Sequence, residues 1–388
     1  MALRYDRGNV IAPRLMARSR SMPCVFALIC VICAHAGAAL AQAPDVDRIE
    51  QRAAANAAAV LLVADHADTT MMKIADDLSI ALRDKSGGFR VVPVAGDGAE
   101  QNIRDLVLLR NMDVGITDLT ALERMKRSKD LSQNLTVEVA HVATLFPDKV
   151  QLIARTSITS AAALAGKRVG IGLKQSGTAA HAEAIFKALG VRPVLVNIAP
   201  IDAAAAVVKG EIDAFICFCL TSPGIYQQVM FNADLHLLPI PFEGALQKDY
   251  LPASIPHEEF PALIEKDKSV ETVAVTLVLV TYNWQKGTPR HARVATFVQR
   301  MFGNLGMLQQ PPRHKGWRSV ELSASVRGWS RFAAVTEWQA TQRQSAVQDM
   351  RVAFGQFLGR WTPETATVQA PEATKLFEEF LQWRQTAR

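Results

Sequence analysis

The sequence predicts an α/β fold of two lobes, each a mainly parallel sheet flanked by helices, with a helical extension at the C-terminus. The 388 residues are enough for two hydrophobic cores. Hydrophobic residues make up 49% of the chain and charged residues 21%, which is typical of a globular protein. Segments typical of strands and of helices alternate through most of the chain, as they do in a parallel sheet with helices on its faces.

The first 41 residues resemble a secretion signal. Arginines precede an uncharged apolar run over residues 25–34, and small residues then lead to Ala41, after which we expect cleavage. A retained membrane anchor is the alternative, but the apolar run is shorter than the roughly 20 residues that a span needs. The mature chain is therefore expected in the periplasm.

The charge of the mature chain argues against nucleic acid as a partner. The whole sequence carries a formal charge of +6, but residues 1–41 hold five arginines and one aspartate, so about +2 remains after cleavage. Nucleic-acid binding usually needs a strongly basic face. We therefore expect a small molecule as the ligand.

Polar loops follow the first three predicted strands. The strands and the two amphipathic helices between them are predicted at residues 58–64, 70–83, 89–94, 103–110 and 114–117. The loops cover residues 65–70 and 96–102 and the pair Thr117 and Asp118. Because ligands bind at the carboxyl ends of strands in open α/β sheets, the loops predict one binding rim. Ordinary turns are the alternative.

Residues 161–190 are predicted to form a strand, a polar loop and a helix that together hold a small anion. Val169 and Ile171 belong to the strand, and the helix has apolar residues at the spacing of a buried face. Between them lie Ser176-Gly177-Thr178, whose amides would face the ligand at the positive end of the helix. Lys174 could neutralise a carboxylate. The alternatives are an ordinary capped helix and a solvated lysine.

The mature chain keeps two cysteines, Cys217 and Cys219. Their alternation in Phe-Ile-Cys-Phe-Cys-Leu predicts that both lie on one face of a strand. A disulfide between such positions would be strained, and no cluster of metal ligands accompanies them. We therefore expect buried thiols, with Cys219 near the edge of the cleft and the loop that contains Pro223 beside it.

A β-branched run at residues 272–282 predicts a buried strand that returns the chain to the first lobe. The predicted division is as follows: residues 42–155 and 270–300 for the first lobe, 156–269 for the second, and 301–388 for a helical extension that packs on the first lobe. All six tryptophans lie beyond residue 283. They are expected to pack helices against a lobe, and a partner-docking surface is the alternative.

Several segments, taken in their order along the chain, resemble one known family. They include VVPVAGDGAEQN at residues 91–102, DVGITD at 113–118, LAGKRVGIGLKQSGT at 164–178 and KGEID at 209–213. The chain resembles the TAXI family of TRAP-transporter solute receptors over residues 56–285. That resemblance implies a two-lobed periplasmic binding protein of the type II class, which presents a solute to an ion-gradient-driven permease.

The resemblance also implies ligand contacts in five loops. In the loop after the first strand, where this chain lacks the family's glycine-rich pattern, the candidates are His66, Thr69 and Thr70. Ala99 stands where the family usually has serine. The remaining contacts that the resemblance implies are Gly98, Ala99, Asn102, Thr117, Asp118, Ser176, Gly177, Thr178 and Pro223.

We expect a receptor, not an enzyme, that acts as a monomer without a metal or cofactor and closes on a small, anionic organic solute. A second hypothesis is a receptor-like protein that senses a ligand or docks on a membrane partner without transport. A third is a periplasmic enzyme that depends on His66 or Cys219. No nucleophile with a base at a recognisable spacing supports the third hypothesis.

Overall fold

The computed structural model describes residues 46–84, 88–361 and 370–386. The chain divides into two compact units, residues 1–54 and residues 55–388. The predicted secretion signal, residues 1–41, lies outside the described part. Within the described residues, no helix combines the length and the apolar character needed to cross a membrane.

The described residues form twelve strands and thirteen α-helices. The strands are β1 Ala59–Val63, β2 Arg90–Val94, β3 Val114–Asp118, β4 Val139–Lys149, β5 Gln151–Arg155, β6 Arg168–Gly170, β7 Val194–Val196, β8 Ala214–Cys217, β9 Leu235–Leu237, β10 Leu251–Pro256, β11 Ser269–Tyr282 and β12 Ser330–Arg331. The helices are α1 Val46–Ala57, α2 Thr70–Ala81, α3 Ala99–Leu108, α4 Leu119–Ser128, α5 Leu135–Glu138, α6 Gly177–Ala188, α7 Pro200–Lys209, α8 Pro223–Met230, α9 Leu246–Asp249, α10 Pro289–Gly303, α11 Leu305–Leu308, α12 Ala333–Trp361 and α13 Ala370–Thr386.

The first sheet has the strand order β12-β4-β11-β3-β1-β2, with β10 paired to β11. β1 runs parallel to β2 and β3 because helices α2 and α3 carry the chain back between them. The long strand β11 is antiparallel to both β3 and β4. β1 consists of apolar residues only, as expected of a central strand covered on both faces.

The second sheet has the order β7-β6-β8-β5-β9. β6 is parallel to β7 and β8, whereas β5 is antiparallel to β8 and β9. The predicted α/β architecture with two lobes is confirmed. Both sheets are mixed, however, and not mainly parallel, because β5 and β11 belong to the segments in which the chain passes between the sheets.

The chain passes from one sheet to the other at residues that differ from the predicted lobe boundaries. The first sheet ends with β4 at Lys149, and β5 already pairs with β8 in the second sheet, Leu152 opposite Ile216. The predicted boundary at residue 155 is therefore a few residues too late. β10, which was placed in the second lobe, pairs with β11 in the first sheet. A continuous apolar run carries no signal at the residue where a strand changes its partner.

Residues 305–335 pack on the first sheet. The side chain of Trp317 is fully buried, and its indole N–H donates to Asp77 Oδ2 on α2 at 3.0 Å. β12 pairs with β4, and Phe332 is fully buried. Beyond Trp338, which packs its ring on Phe302, the following three turns of α12 are exposed.

Candidate functional site

A small cavity lies between the two lobes, where the ends of β1 and β3 face the start of α6 and the loop after β8. Its volume is about 10 Å³, which is room for about one water molecule. The position is the one at which open α/β sheets bind ligands. The cavity is lined by Asp65, Thr69, Thr70, Met71, Ala99, Asp118, Asp148, Gly177, Thr178, His181, Phe218, Val275 and Leu277.

Three buried carboxylates of the first lobe face this cavity. Asp65 follows β1, and its Oδ1 accepts the backbone N–H of His66 at 2.7 Å. Asp118 ends β3 and caps α4 by accepting the N–H of Ala121 at 2.8 Å. Asp148 lies on β4 and accepts the hydroxyl of Thr70 at 3.1 Å. Strands that end side by side thus bring together carboxylates that are far apart in the sequence.

His181 reaches into the cavity from the first turns of α6 in the second lobe. Its Nε2 lies 3.1 Å from Asp118 Oδ2, and its Nδ1 lies 2.9 Å from the hydroxyl of Tyr250. The imidazole is 3% exposed, so both contacts are shielded from water. The edge of the imidazole also packs against Phe218. His181 therefore links the second lobe to a carboxylate of the first.

The protein holds the three carboxylates in different electrostatic states. Burial raises the pKa of Asp65 to about 6, against the opposing effect of His66, and it raises the pKa of Asp148 well above its ordinary value. Burial would also raise the pKa of Asp118, but the charge and the hydrogen bond of His181 outweigh it and lower that pKa. Asp118 thus stays ionised, while the two other carboxyl groups take up protons more readily.

At the helix N-terminus that was predicted to hold an anion, two of the first three amides, those of Gly177 and Ala179, donate to protein groups. The side chain of Ser176 caps α6 by accepting the N–H of Ala179 at 3.1 Å. The N–H of Gly177 donates across the cleft to the carbonyl oxygen of Asp97 at 3.0 Å. A side chain on Gly98 would place its Cβ 2.3 Å from the nitrogen of Gly177. In this arrangement the end of α6 packs on the first lobe through Gly177, and Gly177 and Thr178 form part of the cavity wall.

Six residues named from the sequence line the cavity. They are Thr69, Thr70, Ala99, Asp118, Gly177 and Thr178. Three others support the lining from behind: Asn102 donates to the carbonyl of Ile116, Thr117 donates to the carbonyl of Ala99, and Ser176 caps α6. Gly98 precedes α3 as its N-cap.

Three candidates lie away from the cavity wall. His66 lies at the rim, with its Nε2 3.6 Å from Asp97 Oδ1. The side chain of Lys174 is exposed, and so is Pro223 at the start of α8. These positions do not support a proton-transfer role for His66. They also do not support neutralisation of a ligand's charge by Lys174.

Cys217 and Cys219 form a disulfide, so the expectation of two free thiols is wrong. β8 ends at Cys217, and Cys219 lies in the turn that follows. The turn brings the two Cα atoms to 5.3 Å, within the usual range for a disulfide. Gln151 Oε1 accepts the N–H groups of Cys219 and Leu220, at 2.9 and 3.3 Å, and fixes this turn.

Sequence reasoning missed seven residues of the cavity wall. They are Asp65, Met71, Asp148, His181, Phe218, Val275 and Leu277. A signal existed for His181, because a histidine stood on the buried face of a predicted helix, next to Ala182 and one turn before Ile185. For Asp148 no such signal existed, because the Phe-Pro-Asp-Lys segment at residues 146–149 contains a proline, which is typical of a break in a strand. It lies instead within β4.

The carboxylates and histidines of the described residues do not assemble into a metal site. No group of three or more histidine, cysteine, aspartate or glutamate side chains in this part of the chain is placed to hold a metal ion.

The two mixed sheets and the cavity between them define a two-lobed α/β protein. Within that class the chain belongs to the NMT1-like family, whose sequence model matches residues 72–329. That range contains the cavity residues from Ala99 onward, whereas Asp65, Thr69, Thr70 and Met71 precede it. No curated protein sequence matches the chain.

Several solved structures are similar to this one. A periplasmic transporter is 16% identical, with 66% of this chain and 85% of that chain covered at a TM-score of 0.43. MatC from Rhodopseudomonas palustris with bound malate is 15% identical, with 67% and 86% covered at 0.42. The aliphatic sulphonate binding protein SsuA from Escherichia coli is 13% identical, with 85% and 94% covered at 0.37.

Proposed function

We propose that this protein is an extracytoplasmic receptor that closes its two lobes around a small organic solute and catalyses no reaction. The observation that carries this proposal is the cavity, because both lobes contribute to its wall at the carboxyl ends of their strands. Membership of the NMT1-like family adds support. The solute would be bound where the cavity now has room for about one water molecule.

Direct hydrogen bonds between the lobes explain how closure is stabilised. The N–H of Thr70 donates to the carbonyl of Phe218 at 3.1 Å, and the hydroxyl of Ser222 donates to Asp68 at 2.7 Å. A solute larger than water must hold the lobes further apart than they are here, or move side chains of the wall. The strands that pass between the sheets would absorb such a rotation near Val150.

The chemistry of the cavity favours binding over catalysis. Both ring nitrogens of His181 have partners, Asp118 and Tyr250, so neither is free to take a proton from a bound substrate. Cys219 is part of a disulfide and cannot act as a thiol nucleophile. The proposed role of the site is therefore recognition and enclosure.

The proposal also names a membrane partner and a cellular location for this protein. The resemblance to the TAXI receptors supports delivery of the solute to a TRAP-type permease, by a monomer in the periplasm. The N-terminal arginines and the apolar run that follows them support export. The expectation of an anionic solute rested on the end of α6, where the amides of Gly177 and Ala179 donate to protein groups.

A screen for bound solutes tests the receptor. The purified protein would be heated with amines, amino acids, carboxylates, sugars and phosphorylated compounds, and each compound that raises the melting temperature would be titrated by calorimetry. A ligand at about 100 times its Kd stabilises the folded state by roughly 2.7 kcal/mol. We expect one saturable class of solute and no turnover. Turnover of a bound compound would contradict the proposal, and so would the absence of any ligand.

A second candidate is a receptor-like protein that docks on a membrane partner without delivering a solute. The small cavity and the exposed part of α12 favour it. A chain that ends after Ser345 keeps the buried residues Trp317, Trp329 and Phe332, so it retains the contacts of this segment with the first sheet. If the shortened protein still binds its solute but no longer binds the membrane partner, the C-terminal helices are a docking element.

A further inference from the structure

The ionisable groups of the cavity wall indicate the charge of the solute. Among the described residues that line the cavity, the ionisable ones are Asp65, Asp118, Asp148 and His181, with no lysine or arginine beside them. Arg124 lies behind Asp118 and donates to Glu100 at 2.7 Å, outside the cavity. The wall therefore carries more negative than positive groups.

Two of these carboxylates keep acceptor capacity towards the cavity. A carboxylate has about four acceptor positions. Asp65 accepts the N–H of His66, and Asp148 accepts the hydroxyl of Thr70. Neither is among the carboxylates that pair with a lysine or arginine in the described part of the chain. Burying an ionised carboxylate without a cationic partner is unfavourable, and a bound cation would remove that cost.

The rest of the wall limits what else the solute can present. Four side chains, those of Met71, Phe218, Val275 and Leu277, are apolar. The positive end of α6 is capped by Ser176, and its first amide donates to Asp97. An anionic group would thus meet three carboxylates beside threonine and apolar side chains, whereas a cation with a short apolar body would find partners for both of its parts.

We propose that the solute carries a cationic group, a protonated amine or an amidinium, on a short apolar body, and that Asp65, Asp118 and Asp148 receive this cation between the closed lobes. This inference rests on the proposed receptor function and names its class of solute. At mildly acidic pH this cation competes with protons, because burial raises the pKa of both Asp65 and Asp148. Binding at mildly acidic pH therefore releases protons from these carboxyl groups.

Matched solutes test the sign of the charge. The purified protein would be titrated at about pH 7.5 with short primary amines and amidines, each compared with the alcohol and the carboxylate of the same carbon skeleton. A charge-assisted hydrogen bond contributes roughly 1.5 to 3 kcal/mol, so we expect the amine to bind roughly 10 to 100 times more tightly than its alcohol. Repeating the titration at about pH 5.5 in buffers of different ionisation enthalpy measures the released protons.

Variants assign the binding to these carboxylates. Asp65→Asn and Asp148→Asn should each weaken the amine roughly tenfold or more, and Asp118→Asn should do the same if that variant folds. Asp76→Asn is the matched control, because Asp76 is an exposed aspartate on α2 that does not line the cavity. Its affinity for the amine should equal that of the unchanged protein.

The outcomes separate this inference from the receptor function. If a carboxylate or a neutral solute binds instead, and Asp65→Asn leaves its affinity unchanged or improves it, the cationic solute is wrong while the receptor stands. If amines, alcohols and carboxylates all fail to bind, and the wider screen finds no ligand either, the receptor function itself is wrong.

Discussion

The first lobe contains two sets of buried aspartates that differ in their partners. Asp77 accepts the backbone N–H of His314 at 2.8 Å and the indole N–H of Trp317 at 3.0 Å, and Asp113 pairs with Arg293 at 3.2 Å. Asp65 and Asp148, which face the cavity, have no lysine or arginine partner among the described residues.

This difference shows that burial alone does not mark a functional carboxylate. Asp77 and Asp113 are as buried as the cavity residues, but their hydrogen bonds join elements of the first lobe to each other. A buried charge with a full set of partners is part of the structure, and its removal leaves those partners unsatisfied. A buried carboxyl group with acceptor capacity towards a cavity costs stability and is therefore a candidate for ligand binding.

The largest effect is expected where a structural aspartate anchors the C-terminal segment. Trp317→Ala removes a fully buried indole and the N–H that Asp77 accepts. Truncations of this kind cost about 3 to 5 kcal/mol. Urea unfolding should show this loss in the free energy of unfolding. Trp284→Ala is the control, because that indole lies partly exposed beside Arg290 and should cost less. Equal losses in the free energy of unfolding would mean that the contact between Trp317 and Asp77 does not stabilise the fold more than the contacts of Trp284 do.

The next effect concerns the ion pair of the other structural aspartate. Asp113→Ala leaves Arg293 without its carboxylate and the N–H of Leu61 without its acceptor, which lies at 3.0 Å. Because Arg293 is partly exposed, we expect a loss of about 3 kcal/mol, at the lower end for buried pairs. Asp113→Asn keeps an acceptor for Leu61 and should recover part of the loss in the same urea titration. A loss of less than about 1 kcal/mol in the free energy of unfolding would mean that Asp113, like the cavity aspartates, does not act as a structural aspartate.

The cavity aspartate Asp65 should behave in the opposite way and depend on pH. Its pKa is raised from 3.8 to about 6, first by burial, with contributions from His66, Asp97 and His181. Between about pH 4 and 6 the folded protein therefore holds a proton that the unfolded chain has released, so the free energy of unfolding falls as the pH rises. Asp65→Asn carries no charge and escapes this loss.

We expect Asp65→Asn to match the unchanged protein near pH 4 and to be roughly 2 kcal/mol more stable near pH 7. Urea titrations of both proteins across this range give the difference directly. The charge of Asp65 also helps to raise the pKa of Asp148, so the variant removes that contribution as well, and it acts in the same direction. A gain that is the same at pH 4 and pH 7 would contradict ionisation of Asp65 as its cause.

The smallest effect is expected at the rim. Ser222→Ala removes the hydrogen bond to Asp68, which is exposed to water. Exposed hydrogen bonds contribute little to folding, so the free energy of unfolding should change by less than about 1 kcal/mol. Small-angle scattering of the same variant shows whether this contact holds the lobes together. A large loss of stability would mean that the rim supports the fold as well as closure.

The sequence predicted those features of the fold and site that depend on neighbouring residues. A cap at the start of α6 was a stated alternative, and Ser176 provides it because its side chain and the amide of Ala179 lie three residues apart. The β-branched run at residues 272–282 was recognised as a buried strand, and it lies in β11. The polar loops at the strand ends were correctly placed at one rim because parallel strands end at the same edge.

The sequence did not predict features that depend on how distant segments meet. Asp148 lies at the cavity wall because β4 brings it to the hydroxyl of Thr70 on α2, and nothing in the Phe-Pro-Asp-Lys segment indicates this. His181 meets Asp118 across the two lobes, at a separation of 63 residues in the sequence. The disulfide was missed because its geometry depends on the residue at which β8 ends. Each of these features needs a strand end or a lobe contact that local periodicity does not specify.

A crystal structure of the protein with the amine that binds most tightly in the screen tests the central claim most directly. We expect closed lobes in this complex, with the ammonium nitrogen about 2.7 to 3 Å from carboxylate oxygens of Asp65, Asp118 or Asp148. This expectation is contradicted if the amine lies outside the space between the lobes, or if the cationic group points away from these carboxylates while another part of the solute fills the cavity.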